Sequence, residues 1–427
     1  MRNKIERALW KAAILFVAVV LVVVDPLLAQ SPFYLKDGDR VVFYGDSITD
    51  QRLYTTFAET FVLTRFPNLK VSFVHSGWGG DRVTGGGGGP IDVRLKRDVI
   101  AYHPTVVTIM LGMNDGGYKP YDEATFETYA NGYRHIIETL KSALPGVRMT
   151  LLEPSPYDDV TRDPNFPGGY NAVLVRYAAF VKELADQPKL AVADLNTPLV
   201  AALHRASEIG GDLAKSILPD RVHPGPAGHL LMAEAVLKAW HAPALVTDVQ
   251  ISAADHRIAR SENTKVSGLS TDGGLAWTQL DNALPMPVDM SDKVVALAIH
   301  SSDFANSMDR EFLQVTGLTA PRYDLKIDGE EAANLTREQL ADGINLALLP
   351  TPMTKQAAEV HSLTLRHNNV HFARWRTVQV PLEKESLPSA EKAITALDSL
   401  ETDLVKQQRA AAIPKPHHYQ LRESIRQ

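Results

Sequence analysis

From Leu35 to about Trp240, short apolar runs alternate with longer amphipathic stretches. The runs are Val41-Val42-Phe43-Tyr44, Val71-Ser72-Phe73-Val74, Val106 to Leu111, Met149-Thr150-Leu151-Leu152 and Leu190-Ala191-Val192. The amphipathic stretches include 53–66, 122–143, 171–187 and 228–240. A strand buried on both faces reads as a continuous apolar run, so five runs separated by helices predict a parallel sheet covered on both sides. Right-handed crossovers make this a three-layer, doubly wound α/β domain. In such folds ligands bind at the carboxyl ends of the strands.

Around His241-Ala242-Pro243 the pattern changes. Shorter runs occupy 246–251, 275–280, 294–299, 311–316 and 323–327, with turn signals such as Asp272-Gly273-Gly274 and Asp328-Gly329 between them. They predict a second, β-rich region. Thr336-Arg337-Glu338-Gln339 has the form of a capping box. Helices are expected over Met353–Val378 and Ser389–Ala411, the second with Ile394, Leu397, Leu400 and Leu404 on one stripe. Pro414 and Pro416 end it, and the tail to Gln427 is expected to be poorly ordered. No internal repeat is evident. The organisation expected is a leader over 1–29, an α/β domain over 30–243, a β-rich accessory region with a long helix over 244–385, and a C-terminal helix and tail over 386–427.

The leader is read from Arg2, Lys4, Arg7 and Lys11, the apolar run Ala12 to Val24, and Leu27-Leu28-Ala29. A basic segment, a short apolar segment and a small-residue cleavage site form a secretory signal peptide. The alternative is an uncleaved anchor, but this run rises only ~20 Å as a helix and a span needs about 20 residues. The expectation is a secreted or periplasmic protein with no stable membrane insertion after cleavage.

The 427 residues are 45% hydrophobic and 22% charged, which excludes long disorder and collagen-like repeats. A net charge of −6 without a Lys/Arg block speaks against a nucleic-acid partner. The absence of cysteine excludes disulfides, thiolate metal sites, a Cys nucleophile and a lipidated leader. Export argues against cytosolic cofactors such as NAD or ATP, and none is expected.

Four short blocks follow predicted strands. Tyr44-Gly45-Asp46-Ser47-Ile48-Thr49 places Ser47 where a helix begins, as an exposed nucleophile or merely an N-cap. In Asp220-Arg221-Val222-His223-Pro224 the proline keeps His223 in a loop, where a carboxylate three residues earlier can reach Nδ1. The alternative is a polar loop. Leu111-Gly112-Met113-Asn114-Asp115 offers an amide that stabilises an oxyanion or forms an Asx turn. Gly77-Trp78-Gly79-Gly80-Asp81 lets a substrate approach a backbone N–H, or is a plain turn. Jointly the bland readings fail, because acyl transfer requires this set at one sheet edge. The candidate nucleophile is Ser47, the base His223 and its orienting carboxylate Asp220. The oxyanion candidates are the N–H groups of Ser47 and Gly80 and the Asn114 amide. No metal is required.

These blocks resemble the SGNH hydrolase (GDSL-type esterase/lipase) superfamily. Block I corresponds to Gly45-Asp46-Ser47-Ile48, the block II glycine to Gly80, block III to Gly112-Met113-Asn114-Asp115 and block V to Asp220 through Pro224. The resemblance covers about residues 35–243. It implies a flavodoxin-like fold and the same four roles for Ser47, Gly80, Asn114 and His223. One departure is His75, where block II commonly opens with Asn.

Other residues complete the expectations. His75 and His229 read as structural, and Asp46 and Asp115 as turn or network carboxylates. His367 and His371, at i and i+4, read as a solvated helix face more than a metal pair. Gly85–Gly89 is a candidate mobile wall. Trp78, Tyr157, Asp158, Phe166 and Tyr170 are candidate substrate contacts, the last four on a loop longer than most. The function expected is an exported serine esterase acting on a small-molecule or glycan ester, preferably a short acyl ester of a carbohydrate. Alternatives are a lipid esterase or lysophospholipase, a catalytically silent binding protein, and a structural or oligomerisation role for the second half.

Overall fold

The five apolar runs of the first half pair as parallel strands: β1 (Arg40–Gly45), β2 (Ser72–Gly77), β3 (Val106–Met110), β4 (Arg148–Leu152) and β5 (Leu190–Ala193). This computed structural model describes residues 32–425 apart from 187, 188 and 386. The expected leader lies outside the described residues. The strand order is β2-β1-β3-β4-β5. The flanking helices are α1 (Ser47–Asp50), α2 (Leu53–Arg65), α3 (Ile91–Asp98), α4 (Glu123–Ala143), α5 (Gly169–Leu184), α6 (Thr197–Gly210) and α7 (Pro226–Ala239). β3 is buried at every position, which is why its sequence does not alternate. The chain leaves β1 toward β2 on one side and crosses back to β3 on the other. The crevice at this switch point, beyond the ends of β1 and β3, is where such sheets bind ligands.

The second half has its own core. β6 (Leu245–Ser252), β7 (Arg257–Glu262), β8 (Thr264–Ser270), β9 (Leu275–Asp281), β10 (Arg310–Thr316), β11 (Arg322–Ile327), β12 (Glu330–Thr336), β13 (Ile344–Asn345) and β14 (Pro416–Glu423) form two sheets. Their orders are β8-β9-β14-β11-β12 and β13-β10-β6-β7. Val249, Leu313, Trp277, Leu325 and Leu421 from the two sheets meet in one buried cluster. Buried Arg65, at the end of α2, ties the halves together by donating to the carbonyls of Pro243, Ala244 and Met308. The Thr336–Gln339 capping box forms as expected.

Three expectations fail for identifiable reasons. Residues 294–299 belong to a helix, α8 (Lys293–His300), because Asp292 accepts from the N–H groups of Val294 and Val295 and caps it. The tail is β14, a central strand paired with β9 through Trp277 and Tyr419 and with β11 through Leu325 and Leu421. His367 and His371 are buried, not solvated. They lie on α9 (Pro352–Phe372), where His371 Nδ1 is 3.4 Å from Glu401 on α10 (Pro388–Ala411) and His367 lies between Glu59 and Glu401. Among the described residues no helix is long and apolar enough to cross a membrane.

Leu421 is 1% exposed in the middle of its sheet. Leu421→Ala should lower unfolding stability by about 2–5 kcal/mol in urea titrations. The amides of β9 and β11 should lose hydrogen-exchange protection with it. Unchanged stability would contradict the central placement of β14.

Candidate active site

Ser47 starts α1 directly after β1, and Asp46 caps that helix by accepting from the Ile48 N–H at 3.0 Å. The helix turns this tightly only because Gly77 opposes it: a Cβ there would lie 2.2 Å from the Asp50 nitrogen. Ser47 Oγ is 2.7 Å from His223 Nε2, and His223 Nδ1 is 2.7 Å from Asp220 Oδ2. The other Asp220 oxygen accepts from the N–H groups of Val222 and His223. These hydrogen bonds hold the Asp220 carboxyl below its ordinary range despite partial desolvation. The imidazole is thereby oriented from two sides. With side-chain exposures of 34% for His223 and 58% for Asp220, the pair stands at an open rim.

Asn114 follows β3. Its Nδ2 donates to the Asp81 carbonyl at 3.0 Å and its Oδ1 accepts from the Tyr118 hydroxyl at 2.9 Å, so the amide orientation is set. An amide nitrogen carries two hydrogens, which leaves one for a ligand. Gly80 has φ +78°, a conformation that favours glycine. Asp81 comes next, and its carboxylate receives Arg94 Nε at 2.7 Å. Arg94 also donates to the Ser76 carbonyl and to Asp98, and all three side chains are wholly buried. The Gly80 backbone and the Asn114 amide are thus both tied to the residue that Arg94 holds.

The candidate substrate contacts take other tasks. Tyr170 donates to the Met113 carbonyl and Tyr157 accepts from Asn165, with both rings buried. Trp78 is packed among Arg94, Arg97 and Arg376 and offers no open stacking platform. Gly85–Gly86 pairs with Gly89–Pro90, and Gly88 lies against Trp78, so this stretch is a tight packed hairpin. The long loop braces the histidine loop: the Asp158 N–H donates to Arg221 O, and Arg162 donates to the carbonyls of Leu218 and Pro219. Asp158 is buried and accepts from Val160 and Thr161, while Phe166 is partly buried against the core.

His75 bonds Thr55 and Glu59 inside the protein. Buried His229 accepts from the Tyr54 N–H at Nδ1 and donates to Gln51 at Nε2, and burial pushes it down to about 3. Asp115 accepts from the Val83 N–H. Tyr118 and Arg94 carry no local sequence signal, since a tyrosine in a loop and an arginine in an amphipathic helix are ordinary. Among the described residues no group of three or more His, Asp or Glu is arranged to hold a metal ion.

A serine bonded to an imidazole that is bonded to a carboxylate is the equipment of a hydrolase, and amide donors nearby suit a developing oxyanion. Residues 43–231 match the GDSL-like Lipase/Acylhydrolase family. Residues 43–231 thus carry a GDSL-type hydrolase domain, which makes this half of the chain that of a carboxylic ester hydrolase. The chain is similar to the acetylxylan esterase of Geobacillus stearothermophilus, with 24% identity over 231 residues covering 48% of this chain and 94% of that one. It is also similar to a gut microbial diltiazem-metabolizing enzyme of known structure, with a TM-score of 0.78 and 26% identity over 91% of this chain and 98% of that one. That likeness extends through the second half.

Two outcomes follow from the buried charges. Arg94→Met leaves Asp81 buried without its cation and Asp98 with Arg97 alone, and should cost about 3–5 kcal/mol of unfolding free energy by urea titration. Burial pushes the Asp46 carboxyl up to about 7. Its contribution to stability is therefore present below about 4, the unfolded value, and is lost as pH rises through about 7. Asp46→Asn keeps the cap and should flatten the fall in melting temperature over that window; an unaltered profile would contradict a buried Asp46 that stays protonated up to about 7.

Proposed function

We propose that this chain is an exported serine esterase that removes short acyl groups, chiefly acetyl, from carbohydrate esters. The observation that carries the mechanism is the continuous hydrogen-bonded line from Ser47 Oγ through His223 to Asp220. Ser47 Oγ attacks the acyl carbon while His223 Nε2 takes its proton. The tetrahedral oxyanion receives the N–H groups of Ser47 and Gly80 and the free Asn114 N–H. Collapse expels the sugar oxygen, which takes the proton from His223. Water then attacks the acyl-Ser47 by the same route, and the acid leaves. Asp220 holds the ring and stabilises its charged form.

The substrate class rests on two supports. The exposed His223–Asp220 rim leaves room for a bulky alcohol, and the surrounding tyrosines are spent on backbone and side-chain bonds rather than on an apolar acyl tunnel. A relative matching over almost its whole length is an acetylxylan esterase. Export rests on the basic and apolar pattern of the first thirty residues.

The test is a chain-length series of p-nitrophenyl esters from acetate to palmitate, followed by acetylated xylo-oligosaccharides and diltiazem. Activity should be greatest on acetate, and Ser47→Ala should lower kcat by about 10⁴-fold or more. A maximum at long chains would overturn the carbohydrate preference in favour of a lipid substrate. Turnover untouched by Ser47→Ala would overturn the mechanism.

A further inference from the structure

The helix that begins at Pro352 does not end at Phe372. It continues as a π-helical segment, Ala373–Gln379. Such segments are rare and are frequent at functional sites, because the extra residue per turn re-aims the side chains. Here it aims Trp375 and Arg376 at the loop that carries Gly80. Trp375 is buried, meets Trp78 edge-on with ring centroids 5.8 Å apart, and donates from Nε1 to Asp98 at 2.6 Å. The Arg376 guanidinium lies on the Trp78 ring, and its Nη1 is buried with no hydrogen-bond partner. One turn earlier, Phe372 lies under Arg52 with the guanidinium carbon 4.3 Å from the ring centre. Arg52 in turn pairs with Asp50, whose carboxylate accepts from the Gly79 N–H at 3.3 Å. The segment therefore bears on the 77–81 loop from the Trp78 side and on the end of the Ser47 helix through Arg52.

We propose that residues 372–376 of the C-terminal region are a working part of the hydrolase site, with Trp375 and Arg376 as positioning residues that hold the 77–81 loop in oxyanion-receiving geometry. This rests on the reading of Gly80 and Asn114 as oxyanion donors. A cation seated on an indole is a directional contact, and Trp78 is two residues from Gly80. Without it Trp78 keeps only the flanking guanidinium groups of Arg94 and Arg97, and Asp98, which helps to hold Arg94, loses a donor if Trp375 is changed. Arg376 acts through Trp78 and not on the substrate, so its removal affects the transition state more than ground-state binding.

The experiment compares Arg376→Ala, Arg376→Lys, Trp375→Phe and Asn114→Ala in the full chain, with active serines counted by intact mass after complete labelling with a fluorophosphonate. Each variant is assayed for kcat and KM on p-nitrophenyl acetate and for the affinity of phenylboronic acid, whose serine adduct places an anionic oxygen among the same donors. Arg376→Ala should lower kcat per active serine by about 10- to 100-fold with KM little changed. Boronate affinity should fall in step, and Lys should restore part of both. Trp375→Phe, which keeps an aromatic ring beside Trp78 but loses the bond to Asp98 and part of the buried indole, should give a smaller loss of the same kind. If Asn114→Ala weakens kcat and boronate binding while Arg376→Ala and Trp375→Phe leave both unchanged, the positioning role is overturned and the oxyanion reading stands. If Asn114→Ala changes neither, the oxyanion reading itself fails. A loss for Arg376→Ala that appears only as fewer active serines would show a stability effect and overturn the proposal.

Discussion

A guanidinium sealed from water between two carboxylates is expensive to build, because each ion loses its hydration and recovers it only through well-aligned partners. Arg94 meets that demand with Asp81, Asp98 and the Ser76 carbonyl. Its partners come from the end of β2, the loop after it, and α3 itself. The network therefore sets the loop relative to the sheet. Because the Asp81 carbonyl takes the Asn114 amide, the end of β3 is referred to the same point. A loop rich in glycine has little intrinsic preference for one shape, and this one is held by charge from beneath and by Trp78 packing from the side.

The sheet supplies the rest. Strand order β2-β1-β3 brings the residues after three strands to one crevice, although Ser47, Gly80 and Asn114 are far apart in the sequence. His223 arrives from the loop before α7, held by Asp220 and by the long loop through Asp158 and Arg162. That loop braces the histidine loop through Asp158 and Arg162, while its tyrosines bond elsewhere, Tyr157 to Asn165 and Tyr170 to the Met113 carbonyl.

The first-half strands and the residues from Ser47 to His223 were legible because continuous apolar runs mark strands buried on both faces, and the polar blocks come directly after them. The second half was less legible. The run from Val294 to Ile299 suits a strand or a helix, and only the Asp292 cap decides it. In β14, Tyr419 and Leu421 alternate with polar residues over a stretch too short and too close to the terminus to stand out. His367 and His371 look like a polar helix face until Glu59 and Glu401 are known to oppose them. The position of Arg376 against Trp78 joins residues 298 apart in sequence, so no local pattern announces it. The C-terminal helices, the β-rich sheets and the hydrolase half share buried polar contacts across their boundary, as at Arg65 and Trp375.

The proposed mechanism requires Ser47 to carry the acyl group between two half-reactions at this crevice. Rapid acid quenching during turnover of p-nitrophenyl acetate, followed by peptide mass mapping, tests this directly. A single acetyl group is expected on the peptide that contains Ser47, forming and disappearing at rates that match turnover. Acetyl found on another residue, or sustained turnover with no acyl-Ser47 formed, would contradict it.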